Sequence, residues 1–151
     1  MSVTKSSRRE FCESISLVSL GAVLGSCGGS PTAPSNVPTL QTVNGSVASG
    51  AVTVTIDAAS PLATVGASAL VQSSSGGFLV SRSAQDAFVA VTAICTHEMC
   101  TVTGFQNSRY VCPCHGSEYT TSGSVAKGPA VLALRQFSTR FASNVLTISL
   151  T

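Results

Sequence analysis

Two short runs, Cys95-Thr96-His97-Glu98-Met99-Cys100 and Cys112-Pro113-Cys114-His115-Gly116-Ser117, constrain this chain more than anything else in it. Eleven residues separate them, and together they hold both histidines and four of the six cysteines. Thiolate sulfur and imidazole nitrogen are ligands for zinc and for iron-sulfur centres, and the spacings put several of them within reach of one site. By residue type alone, Cys95, His97, Cys100, Cys112, Cys114 and His115 are six candidates for a site that needs four ligands. In an oxidising compartment, two cysteines left over from such a site are expected to pair as a disulfide.

Around the two runs the sequence reads as strands. Val52, Val54 and Ile56 alternate with Thr53, Thr55 and Asp57, the period of a half-buried strand that ends over Asp57 to Pro61. A second strand is predicted at Ala69-Leu70-Val71. The runs Phe78 to Arg82 and Ala87 to Val91, split by a short polar break, predict a hairpin that leads into the first Cys/His run, Cys95 to Cys100, which with Cys112 to Ser117 makes the first and second box. Tyr110-Val111, Val131 to Leu134 and Val145 to Leu150 supply the remaining predicted strands. No helical periodicity is sustained, so the fold class expected is all-β, with stacked antiparallel sheets or a partial barrel.

The first nine residues hold Lys5, Arg8 and Arg9; from residue 28 onward five basic residues face four acidic ones. That near-neutral domain offers no basic patch, and nucleic acid is excluded as a partner. Arg8-Arg9-Glu10-Phe11, a modest apolar stretch from Ile15 to Leu24 and Gly25-Ser26-Cys27 resemble a twin-arginine export signal ending in a lipobox. Residues 1–26 are therefore expected to be an export signal, with Cys27 the lipidation site that anchors the chain to the periplasmic side of a membrane; the alternatives are simple cleavage, which leaves a periplasmic chain, and retention of the segment as an anchor. Residues 27–45, rich in Gly, Ser and Pro, are expected to be a flexible tether, and 46–151 the domain.

The pattern CTHEMC followed by CPCHGS resembles the Rieske [2Fe-2S] family, in particular its disulfide-bearing, high-potential branch typified by the iron-sulfur subunits of quinol:cytochrome c reductases. The resemblance extends over about residues 69 to 151 and implies a domain of stacked antiparallel sheets with two cluster-binding loops. It implies that Cys95 and Cys112 bind one iron of a [2Fe-2S] cluster, that His97 and His115 bind the other, and that Cys100 and Cys114 form a disulfide. Ser117 and Tyr119 match hydroxyl donors to cluster sulfur, and Gly128-Pro129 falls in a third loop that covers the cluster. Imidazole in place of thiolate leaves such a cluster less negative and raises its potential into about −150 to +300 mV. Hydroxyl donors to sulfur push it further up. A structural zinc module is the alternative by ligand type, but it accounts for neither the two further cysteines nor Ser117 and Tyr119.

Two features depart from the reductase pattern. Glu98-Met99 stands where quinol-oxidising members usually have Leu-Gly, and a carboxylate is costly to bury in an apolar quinol pocket. The N-terminus promises a lipid rather than a membrane-spanning helix. The expected function is one-electron transfer by a lipid-anchored carrier between redox proteins such as a c-type cytochrome or a cytochrome b complex. The alternative is a subunit of a quinol:cytochrome c oxidoreductase or of a molybdenum oxidase such as arsenite oxidase.

Overall fold

Residues 36–151 are described by a computed structural model; the predicted export signal and Cys27 lie outside them. The strands are β1 Thr42–Asn44, β2 Ser46–Ala48, β3 Ala51–Thr55, β4 Ser68–Ser73, β5 Gly76–Ala84, β6 Ala87–Thr92, β7 Gly104–Gln106, β8 Arg109–Val111, β9 Glu118–Thr120, β10 Val125–Lys127, β11 Gln136–Phe137, β12 Thr139–Ala142 and β13 Val145–Ser149. They form one five-stranded sheet, β1-β4-β5-β6-β11, and two four-stranded sheets, β10-β9-β8-β7 and β12-β13-β3-β2.

The five-stranded sheet is the middle layer. Ala69, Val71, Phe78, Val80, Phe88 and Ala90 pack into one core with Val52, Val54, Leu146 and Ile148 of the β3/β13 sheet. Their alternate neighbours Leu70, Leu79 and Val91 pack into a second core with Cys95, Val102, Tyr110, Cys112 and Tyr119. Strands buried on both faces need apolar residues at successive positions, which is why β4, β5 and β6 read as apolar runs. β3 and β13, with one face outward, keep the apolar-polar alternation. The second core is the floor of the two Cys/His boxes, so both loops stand on packed sheet.

Two expectations change. Val131 to Leu134 is not a strand but part of an irregular loop, with Val131 and Leu132 85% and 65% exposed and Ala130 and Leu134 buried. Its apolar side chains suggested burial, yet they belong to a surface segment whose backbone bonds to its neighbours rather than to a ladder. Pairing also begins before residue 46. Phe105 N–H donates to Pro38 O at 2.8 Å, Leu40 N–H to Thr103 O at 2.8 Å, and β1 pairs with β4 in parallel, the exception in an otherwise antiparallel fold. The later part of the expected 27–45 tether is therefore an edge of the domain. Gly45 permits the bend from β1 to β2, since a Cβ there would lie 2.5 Å from Val52 Cγ1.

Candidate metal centre

The two boxes fold alike. In the first, Cys95 N–H donates to Cys100 O at 2.8 Å and Met99 N–H to Cys95 O at 3.1 Å; in the second, Cys112 N–H donates to Ser117 O at 2.8 Å and Gly116 N–H to Cys112 O at 3.0 Å. The fifth residue of each turn, Met99 or Gly116, has φ of 55° or 72°. Box one leaves the middle sheet after β6, and box two joins β8 to β9. Gly116 meets the left-handed requirement without penalty, whereas Met99 carries a Cβ there. Met99→Gly should therefore stabilise the fold by about 1 kcal/mol despite the entropy glycine adds to the unfolded chain, seen as a higher urea midpoint.

These turns bring the candidate ligands to one end of the domain. Cys95 and Cys112 are buried free thiols. Burial alone would push Cys95 up, but the Tyr119 hydroxyl, the His97 N–H and the Cys112 thiol together hold it below the usual thiol value. Burial pushes Cys112 up, and the charge on Cys95 adds to this, against the N–H donors of Cys114 and His115. Two such thiols prefer one negative charge between them, and a bound cation removes that restriction by taking both as thiolates.

The His97 and His115 rings meet edge to face, centroids 4.9 Å apart. His115 Nδ1 is buried with no hydrogen-bond partner, and the nearest carboxylate oxygen, Glu98 Oε2, lies 3.6 Å away. An orphaned ring nitrogen beside two buried thiols is the donor set a mixed sulfur-nitrogen metal group needs, so these residues fit one. Cys100 and Cys114, whose sulfurs come within 4.8 Å of Cys112 Sγ, are joined to each other as a disulfide with Cα atoms 6.5 Å apart. That bond withdraws them from ligation and ties box to box.

Hydroxyls and a third loop close the site. Tyr119, fully buried, places Oη 3.3 Å from Cys95 Sγ. Thr96 N–H donates to Tyr119 Oη at 3.2 Å, and the Thr96 hydroxyl donates to Leu132 O at 2.7 Å while lying 3.1 Å from Tyr119 Oη. The single Tyr119 proton is thus left for Cys95 Sγ or Thr96 Oγ1, and a charged sulfur is the stronger acceptor. Burial, and then the bond to Cys95, raise the Tyr119 pKa above its usual value and keep it a donor. Ser117 Oγ, also buried, accepts Ala130 N–H at 3.0 Å, which leaves its own proton free to donate. The loop that starts at the cis peptide Gly128-Pro129 is therefore pinned to box two through Ala130 and to box one through Leu132.

Two contributors were not singled out from sequence. Thr96 is the one hydroxyl residue of the first box, and that position between two candidate ligands was the available signal. Tyr110 is the direct cross-strand partner of Tyr119 and is fully buried. Its hydroxyl bonds Ser81 of the middle sheet, which in turn bonds Ser68 at 2.7 Å, so the site sheet is keyed to the sheet beneath it. No local pattern reveals a contact that joins residues 29 apart.

Fold and site together define an all-β domain built around a mixed sulfur-and-imidazole metal site. The chain belongs to the Rieske [2Fe-2S] domain family, which residues 53–138 match. Family membership implies a [2Fe-2S] cluster, and the Cys100–Cys114 bridge is the feature of the disulfide-bearing branch. The chain is 39% identical over 64 residues to the cytochrome b6-f complex iron-sulfur subunit of Chlorobaculum thiosulfatiphilum, covering 42% of this chain and 35% of that one. It is 48% identical over 46 residues to the chloroplastic cytochrome b6-f complex iron-sulfur subunit of Pisum sativum, covering 30% and 20%. The match thus spans about a third or less of these relatives' length. Among solved structures, the ferredoxin of carbazole 1,9a-dioxygenase from Nocardioides aromaticivorans IC177 superposes with a TM-score of 0.51 at 16% identity. That comparison covers 66% of this chain and 98% of the ferredoxin and reflects a shared fold.

Proposed function

We propose that this chain is an exported, lipid-anchored electron carrier of high potential, with Cys95 and Cys112 on one iron and His97 and His115 on the other. When bound, the cluster supplies a reversible one-electron couple. The observation that carries the assignment is the convergence of two buried free thiols and an orphaned imidazole nitrogen beneath a disulfide-tied pair of congruent loops. The residues around the site exclude water and hold its donors. Tyr119 offers its hydroxyl proton to Cys95 Sγ, Ser117 keeps a proton free for the sulfur of a bound cluster, and the Gly128-Pro129 loop lies over the site through its bonds to Thr96 and Ser117. Cys27 would carry the lipid, and the Gly/Ser/Pro segment after it would let the domain move between membrane and periplasmic partners.

The purified full chain tests this directly. A reddish-brown protein with a rhombic EPR signal after reduction, and a potential in the upper part of about −150 to +300 mV by protein-film voltammetry, is the expected result. Zinc in place of iron, or a potential at the bottom of that span, would overturn the cluster or its high-potential character respectively. A mass spectrum of the membrane fraction should show diacylglycerol on Cys27.

The named relatives are iron-sulfur subunits of cytochrome b6-f complexes, and this favours a second role, as the Rieske subunit of a quinol:cytochrome c oxidoreductase. A subunit of a molybdenum oxidase, such as arsenite oxidase, is the remaining variant. Copurification with a cytochrome b would select the complex; its absence from the solubilised membrane fraction would select the separate carrier.

A further inference from the structure

We infer that Glu98 selects the electron acceptor, fitting the exposed end of the metal site to a basic, haem-bearing protein and against an apolar pocket. This deepens the electron-carrier function proposed above and rests on it. Glu98 is exposed, and its carboxylate lies within 4.8 Å of the ligating atoms of both His97 and His115. No lysine or arginine among the described residues pairs with it. Its neighbour in charge, Glu118, differs in this respect, being paired with Arg109 at 3.1 Å and Lys127 at 3.4 Å. Of the remaining cations, Arg82 is buried on the carbonyls of Leu62, Ala63 and Gln85, Arg135 lies over the Phe137 ring, and Arg140 belongs to β12 in the β3/β13 sheet.

The local surface therefore carries one uncompensated negative charge beside exposed apolar side chains. Met99, next to Glu98, is 76% exposed, and Val131 and Leu132 of the covering loop are exposed as well. Closing an apolar pocket over this end would desolvate Glu98 with nothing to replace its water. A partner that offers a lysine or arginine beside its redox centre, with apolar contact around it, satisfies both the charge and the patch. The contact would serve transfer of a single electron from a bound [2Fe-2S] cluster to the partner's redox centre, the one oxidised as the other is reduced.

Stopped-flow oxidation of the reduced full-length holoprotein tests the assignment with two acceptors, a lysine-rich c-type cytochrome and an acidic one of similar potential. With Glu98→Gln, the low-salt rate constant should fall about fivefold for the basic cytochrome and rise by a similar factor for the acidic one. Both differences should fade at high ionic strength. Opposite directions separate a docking charge from a change in potential, which would move both rates the same way. Shifts in one direction for both acceptors, or no shift for either, would overturn the role of Glu98. A wild-type holoprotein that reduces neither cytochrome would overturn the carrier function itself, and this assignment with it.

Discussion

Ser117→Ala and Tyr119→Phe should each lower the reduction potential of the holoprotein, by at most about 130 mV. The figure follows from two magnitudes: a hydrogen bond to a charged acceptor is worth about 1.5–3 kcal/mol, and a tenfold change in a one-electron equilibrium is about 59 mV. The sign follows from charge. Sulfur in such a site is more negative when reduced, so a hydroxyl donor stabilises the reduced state more, and losing it favours the oxidised one. The Tyr119 proton faces Cys95 Sγ at 3.3 Å, and Thr96 N–H already occupies the other side of its oxygen. Ser117 receives Ala130 N–H and therefore has its proton to give. Phenylalanine also strands Thr96 N–H, which should cost about 1–3 kcal/mol of stability. Alanine at 117 does the same to Ala130 N–H and frees the covering loop on one side. Voltammetry gives the shift and urea titration the stability; an unchanged potential in either variant would remove that hydroxyl from tuning.

What the sequence revealed, and what it hid, follow from the range of the interactions. The six-residue boxes announce their chemistry because sulfur and imidazole at short spacing have few other uses, and β3 and β13 announce themselves by local period. The packing of β4, β5 and β6 between two layers was legible only as unbroken apolarity, which does not say what covers either face. The error at Val131 to Leu134 has the same root. An apolar run is a buried strand in most settings, but here it is the exposed lid of a site, held by Thr96 and Ser117 from two distant segments. β1 escaped notice because a strand of only three residues, just after a Gly/Ser/Pro segment, pairs in parallel with β4, a long-range contact with no local signature. Tyr110 with Ser81 is the same case inside the core.

Removal of the bridge between the boxes is expected to have the largest effect on stability. Cys100 and Cys114 are 14 residues apart in sequence. Cross-linking a loop of about 15 residues restricts the unfolded chain by about 3 kcal/mol in the chain-entropy account. The double variant Cys100→Ser/Cys114→Ser leaves neither bridge partner behind as an unpaired thiol, and its cluster-free form should unfold with about that much less free energy. The loaded form should lose less at first, because a metal group held by both boxes is itself a cross-link between them. Its colour should therefore survive purification and then bleach faster than that of the wild type, as box two is freed to swing away from box one with Gly128 to Leu132 above it. A wild-type chain unfolded in the presence of a strong thiol reductant should reproduce the cluster-free result without any mutation. Equal urea midpoints for the cluster-free wild type and double variant would show that the packing beneath Cys95 and Cys112, rather than the bridge, holds the two loops together.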